Sequence, residues 1–259
     1  MEKIKRVLSI DMDYIVPDCI QLYNDLAGLS NMREGCYWDN VKRERNLEKF
    51  LSYDEKQYEL VRELVKKNAP NIRTENIMFA LEHDMILELL CDVPEKKDEL
   101  LEVYNLDHHH DIYYGAEENY QVEHYQVANI GDWVYYLGFN KKLYKYNWLR
   151  NYSSDRFDDE LQAGLDFIVT QDKLIESPDK ILEIDFDYLF VCKSEEYLPD
   201  NFWHLFEELR HITEDIKGER ITVWDKPYCI DGCTRFVAGK EPTPKQRRDV
   251  TAGKTFWEE

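Results

Sequence analysis

The sequence predicts an α/β protein of three layers, with helices on both sides of a central, mostly parallel sheet. Three observations predict it. Short apolar runs of strand type alternate with segments whose apolar residues recur at helical spacing, and strands separated by helices pair in parallel with both faces covered. The runs are short and apolar, as buried strands are. Clusters of aspartate and histidine fall where predicted strands stop, and open α/β sheets bind ligands beyond the carboxyl ends of their strands.

The elements follow in order. Residues 6–10 (RVLSI) form an apolar run before Asp11 and read as a first, central strand. Residues 52–68 carry Leu60, Val61, Leu64 and Val65 on one helical face, with Ser52 and Glu55 as a capping box. Residues 76–81 (NIMFAL) are a second strand, and residues 85–90 open a helix behind it. Residues 101–106 (LEVYNL) are a third strand. Residues 129–137 start a helix near Gly131 and Asp132. Residues 180–185 (KILEID) read as a strand, 201–216 as an amphipathic helix and 219–224 (ERITVW) as a late strand. No linker or solenoid repeat divides the chain, so residues 1–259 are expected to form one domain, with 241–259 a loosely packed tail.

Composition narrows the function. Apolar residues make up 43% of the 259 positions, enough for a sizeable core. Lysine and arginine total 33 against 53 aspartates and glutamates, a net charge of −20. That field repels nucleic acid and anionic membrane and attracts cations. No stretch approaches the ~20 apolar residues of a membrane helix. The first residues read as a strand, not a signal peptide, so a cytoplasmic location is expected. Six scattered cysteines suit reduced thiols rather than a disulfide framework.

The chemistry lies in three motifs: His83, the run Asp107-His108-His109-His110-Asp111, and the pair Asp185 and Asp187. Carboxylates and imidazoles at these spacings suit two adjacent divalent ions, which activate water at neutral pH. On a straight strand, Asp107 and Asp111 would lie ~13 Å apart, so the chain must curl near His109. Asp107 could then bridge two ions, with His109 on one and Asp111 on the other. Asp185 and Asp187 share a face if their strand continues, and two buried carboxylates repel unless a cation compensates. Oxygen-rich ligation favours Mn²⁺ over Zn²⁺. Ile10-Asp-Met-Asp-Tyr14 echoes Ile184-Asp-Phe-Asp-Tyr188. Asp11 and Asp13 could serve a phosphotransferase of haloacid-dehalogenase type, but Ile15 departs from that pattern. They are expected instead to line the same cleft.

The set of His83, then Asp-x-His-x-Asp at 107–111, then Asp-x-Asp at 185–187, resembles the ureohydrolase pattern of the arginase/deacetylase superfamily. The order of segments over residues 74–235 is similar to the UPF0489-type arginase-like family, which includes peptide arginases. The resemblance implies an arginase-like fold, two Mn²⁺ ions and hydrolysis of a guanidinium C–N bond. The substrate would be a cationic guanidino compound, such as arginine within a peptide converted to ornithine with release of urea. It implies His83, Asp107, Asp111 and Asp185 at the first ion. At the second it implies Asp107, His109, Asp185 and Asp187, with Asp187 also orienting the nucleophile. His124 is the candidate proton shuttle, and Asp225 and Asp231 are candidate anchors for the substrate cation. His108 and His110 are expected in supporting positions. A one-zinc deacetylase-like amidohydrolase and a non-catalytic metal-binding protein are the alternatives. Tyr113, Tyr114, Tyr120, Trp133 and Trp148 would line a peptide groove or fill the core.

Overall fold

The structure is a computed structural model that describes residues 3–16, 52–90, 99–112, 116–125, 127–128, 130–152, 154, 178–194, 197–225 and 235–236. The first strand, β1 (Lys3–Asp11), is central, as expected. It pairs in parallel with β3 (Glu99–Asp107) on one side and β6 (Tyr188–Cys192) on the other. Beyond β6 lie β2 (Ile77–Ala80) and β7 (Val223–Trp224), and beyond β3 lies β5 (Leu143–Arg150). The order is β5-β3-β1-β6-β2-β7, and every pairing is parallel. A separate antiparallel pair joins β4 (Val127–Ala128) to β8 (Arg235–Phe236).

Both faces of the sheet are covered, giving the three-layer α/β architecture. Alternation along β1 sends Leu8 and Ile10 to one face and Val7, Ser9 and Asp11 to the other. The first face packs with Ile77, Phe79, Tyr104, Leu106, Leu189 and Val191 against α1 (Glu55–Asn68) and α5 (Trp203–Lys217). Leu60, Val61, Leu64 and Val65 of α1 are its apolar stripe. The second face packs Val7, Met78, Val103 and Phe190 against α2 (Ile86–Leu89) and α4 (Trp133–Phe139). A further helix, α3 (Ala116–Tyr125), adjoins α4 and β4. No helix among the described residues is long and apolar enough to cross a membrane.

Several expectations shift. The cap of α1 is Asp54, whose carboxylate accepts the N–H groups of Lys56 and Gln57, rather than Ser52. Residues 180–185 are no strand: Pro178–Glu183 is a 3-10 turn and the strand begins at Tyr188. The reason is burial. Tyr188–Cys192 is a continuous apolar run suited to a doubly covered sheet, whereas Lys180, Glu183 and Asp185 are charged and exposed. The late strand shrinks to Val223–Trp224, and the helix expected over 129–137 starts at Trp133. β5 and α3 were not anticipated. The tail from residue 241 lies outside the described residues.

Candidate metal centre

Parallel strands bring their carboxyl ends to one edge, and there the second face of the sheet turns from apolar to acidic. Asp11 ends β1 and Asp107 ends β3. Ile10 pairs with Leu106 in the ladder, so Asp11 and Asp107 stand side by side. Asp13 follows in a 3-10 turn, Met12–Ile15, that Asp11 caps through the Asp13 N–H. His83 opens the turn after β2 and reaches back over the sheet. Asp11, Asp13, His83, Asp107 and Asp111 are all at most 3% exposed.

These groups form two sets that share Asp107: Asp11, His83 and Asp107, and Asp13, Asp107 and His109. His83 Nδ1 lies 3.1 Å from Asp11 Oδ2, 3.1 Å from Asp107 Oδ2 and 2.9 Å from Asp111 Oδ2. One ring nitrogen cannot donate a single proton to three carboxylates. Atoms bound cis to one octahedral ion at bonds of about 2.1 Å lie about 3.0 Å apart. The spacing suits donors around a common cation. In the second set, His109 Nδ1 lies 2.9 Å from Asp13 Oδ2 and 3.8 Å from Asp107 Oδ1. Asp107 thus turns one oxygen to each imidazole, as a bridging carboxylate does. The donor chemistry, two imidazoles and four carboxylates, suits divalent cations.

The surroundings hold each ligand in place. The Asn105 amide donates to Asp107 Oδ2 at 2.9 Å and to the Tyr146 hydroxyl at 3.0 Å. The Trp148 indole donates to the Asp107 carbonyl. The Trp133 indole donates to Asp111 Oδ2 at 2.7 Å, and the Val134 N–H to the Asp111 carbonyl. This clamp keeps Asp111 in the left-handed region, with φ 52°, which lets the chain curl back as the 107–111 spacing requires. The His108 N–H donates to Asp13 Oδ1 and the His109 N–H to Asp107 Oδ1.

The electrostatics are those of crowded acids. Burial, then the charges of Asp111, Asp13 and Asp11, push Asp107 well above the usual carboxylate range. Burial and the Asp13 charge push Asp11 up to about 6. Burial also acts to raise Asp13, but His109 and His108 outweigh it and bring Asp13 down to about 2. Burial opposes Asp111 ionisation too, and His83 overcomes it, so Asp111 sits below its ordinary value. Both imidazoles are disfavoured as cations by burial, yet the carboxylates around His83 and Asp13 beside His109 raise them. The cluster therefore attracts positive charge strongly.

The sequence-derived set is only partly brought together. His83, Asp107, His109 and Asp111 meet as expected, while Asp185 and Asp187 do not. Asp187 lies beside Arg6 at the opposite, amino edge of the sheet, where it accepts the Arg6 N–H at 3.0 Å and pairs with Lys5. It stands level with Arg6 and Asp11 stands five residues on, which is roughly 16 Å along a strand. The Asp185 side chain is 86% exposed and pairs with Lys67. Asp11 and Asp13 stand in the cluster instead. His124 is exposed on α3, its ring 4.0 Å from Tyr120. Asp225 is exposed just after β7, on the same edge as the cluster. Asp231, Tyr113 and Tyr114 lie outside the described residues. His108 is buried, and His110 packs edge-on against Trp148 with its Nδ1 accepting the Ile112 N–H. Burial takes His110 down to about 4. Trp133 and Trp148 are core residues rather than groove walls, while Tyr120 is 40% exposed.

Asp11 and Asp13 line the same cleft, as expected, and stand inside the cluster itself, while Ser9 and Asn105 escaped the sequence reading. A polar residue inside the apolar run RVLSI was the available signal for Ser9. Comparison of the chain with family models, curated proteins and solved structures gave no match.

Proposed function

We propose that this protein is a binuclear-metal hydrolase acting on a C–N bond, most simply the arginase-like hydrolysis of a guanidinium group. The observation that supports it is Asp107, shared between two sets of carboxylate and imidazole donors, all buried but the half-buried His109. Asp11, His83, Asp107 and Asp111 would hold one ion, and Asp13, Asp107 and His109 the other. When bound, two divalent ions lower the pKa of a water molecule and stabilise the charge that develops on C–N cleavage.

The chain's own residues set up the rest. Asp13 takes the part first assigned to Asp187. The His109 side chain, 20% exposed, marks the solvent side of the pair, whereas the His83 end is sealed at 1%. Substrate would approach from the His109 side. Asp225 presents an exposed carboxylate at the same sheet edge and suits a cationic group, helped by the net charge of −20. The resemblance to peptide arginases points to arginine within a peptide as the substrate, with ornithine and urea as products, and His124 remains the candidate proton donor to the leaving amine.

The test is metal stoichiometry on protein prepared with added manganese, followed by assay of arginine peptides for ornithine. Two ions per chain with ornithine formed, both lost in Asp107→Asn while the fold persists, is the expected result. A single zinc would favour a deacetylase-like amidohydrolase. Two ions without turnover of guanidino or amide substrates would leave a metal-binding protein. No metal would end the hydrolase reading.

A further inference from the structure

One ladder step beneath Asp11, β1 places Ser9 on the same face of the sheet. Its side chain is fully buried between its ladder partners Asn105 and Phe190, next to the apolar Val7 and Val103. A hydroxyl buried without a partner costs free energy that an apolar residue would not. Its partner is His83: Ser9 Oγ lies 2.7 Å from His83 Nε2. The imidazole is also clamped on its flanks. It stacks on Phe190 at 5.6 Å and 7°, and Trp133 leans on it at 5.0 Å. The ring is thus fixed at its far nitrogen, while its near nitrogen faces Asp11, Asp107 and Asp111.

We infer that Ser9 is a positioning residue for the ion assigned to Asp11, His83 and Asp107, its hydroxyl accepting the Nε2–H so that Nδ1 keeps the lone pair a metal needs. The inference rests on the metal-pair reading above. A neutral imidazole carries one N–H, and the partner of one nitrogen decides which of the two is the base. Three carboxylates crowd Nδ1 and invite the proton to that side. A proton there blocks metal ligation. The Ser9 hydroxyl offers an acceptor at Nε2 and so opposes that pull. The effect is specific to one half of the site. His109 belongs to the other half, and Ser9 does not touch it.

The test is Ser9→Ala, titrated with Mn²⁺ beside the wild type. Loss of a partner that orients a ligating histidine weakens metal binding by about 10–100-fold. The expected result is selective: one ion of the two weakened by that factor and the other bound as in the wild type. A second measurement needs no variant. With labelled histidine and Cd²⁺ as an NMR-active probe, the wild type should show metal coupling at His83 Nδ1 and a proton on Nε2. Wild-type affinity for both ions in Ser9→Ala overturns the inference and leaves the metal pair standing. Equal weakening of both ions with a lower metal-free melting temperature assigns Ser9 to packing alone and also overturns it. Coupling at Nε2 overturns it in the wild type itself. A wild type that binds no metal removes the metal-pair reading and this inference together, an outcome visible before any variant is made.

Discussion

Asp11 and Asp187 sit in nearly the same local sequence, Ile-Asp-x-Asp-Tyr, yet occupy opposite edges of one sheet. The difference lies in where the apolar run falls. In the first copy the run precedes the aspartates, so the chain reaches them after crossing the sheet, at the carboxyl edge. In the second the run Tyr188–Cys192 follows them, so they stand where the chain enters. The two pairs therefore predict opposite outcomes. Asp11→Asn removes a donor beside His83 Nδ1 and should release at least one ion and reduce turnover of a guanidino substrate to background. Asp187→Asn breaks only a partly exposed pair with Lys5, worth about 0–1 kcal/mol, and should keep both ions. Metal analysis of the two variants decides between the assignments, and loss of metal in Asp187→Asn alone would reverse them. The histidine and Asp-x-His-x-Asp half of the site was legible because residue type and spacing fix it. The carboxylate pair was not, because the repeated string carries no sign of which side of its strand it occupies.

At the scale of elements, what the sequence disclosed best were segments whose burial is one-sided or complete. The stripe of α1 and the apolar runs of β1, β2 and β3 appear within a few residues of their expected places. β5 was missed because Leu143–Arg150 (LYKYNWLR) interleaves Lys145 and Arg150 with aromatics at the sheet's edge, which blurs the apolar signal. α3 was missed for a related reason, since its sequence AEENYQVEHY is rich in glutamate and offers few apolar residues at helical spacing. Helix ends are where single residues carry an element. α5 stops at Gly218, whose φ of 69° lies in the left-handed region and whose N–H bonds the Glu214 carbonyl. A Cβ there would meet no atom within 4 Å, so the whole penalty of Gly218→Ala is backbone strain. That strain is about 1–2 kcal/mol, which should lower the melting temperature by roughly 2–8 °C. An unchanged melting temperature would mean that the end of α5 relaxes freely.

For the whole molecule, the proposed ligands come from separate parts of the chain and meet only when the sheet is assembled: Asp11 and Asp13 at β1, His83 after β2, and Asp107 to Asp111 at the end of β3. The unfolded chain has no such site, so metal binding becomes folding free energy. Free metal at a hundredfold above its dissociation constant would add about 2.7 kcal/mol. Protons compete for the same donors. In the metal-free protein His83 and Asp107 titrate well above their ordinary values, and Asp11 at about 6. Each must lose its proton before it can bind a cation. The metal-free folded state therefore carries more protons than the metal-bound one, and by linkage affinity rises with pH. Up to about pH 6 Asp11 contributes to the increase; above that it is ionised, and the increase continues on the protons that Asp107 and His83 still hold. Adding a chelator should thus lower the melting temperature by more at about pH 8 than at about pH 6, with the metal concentration fixed. A chelator effect that is equal at both values, or larger in acid, would mean that these carboxylates and imidazoles are not the groups that hold the metal.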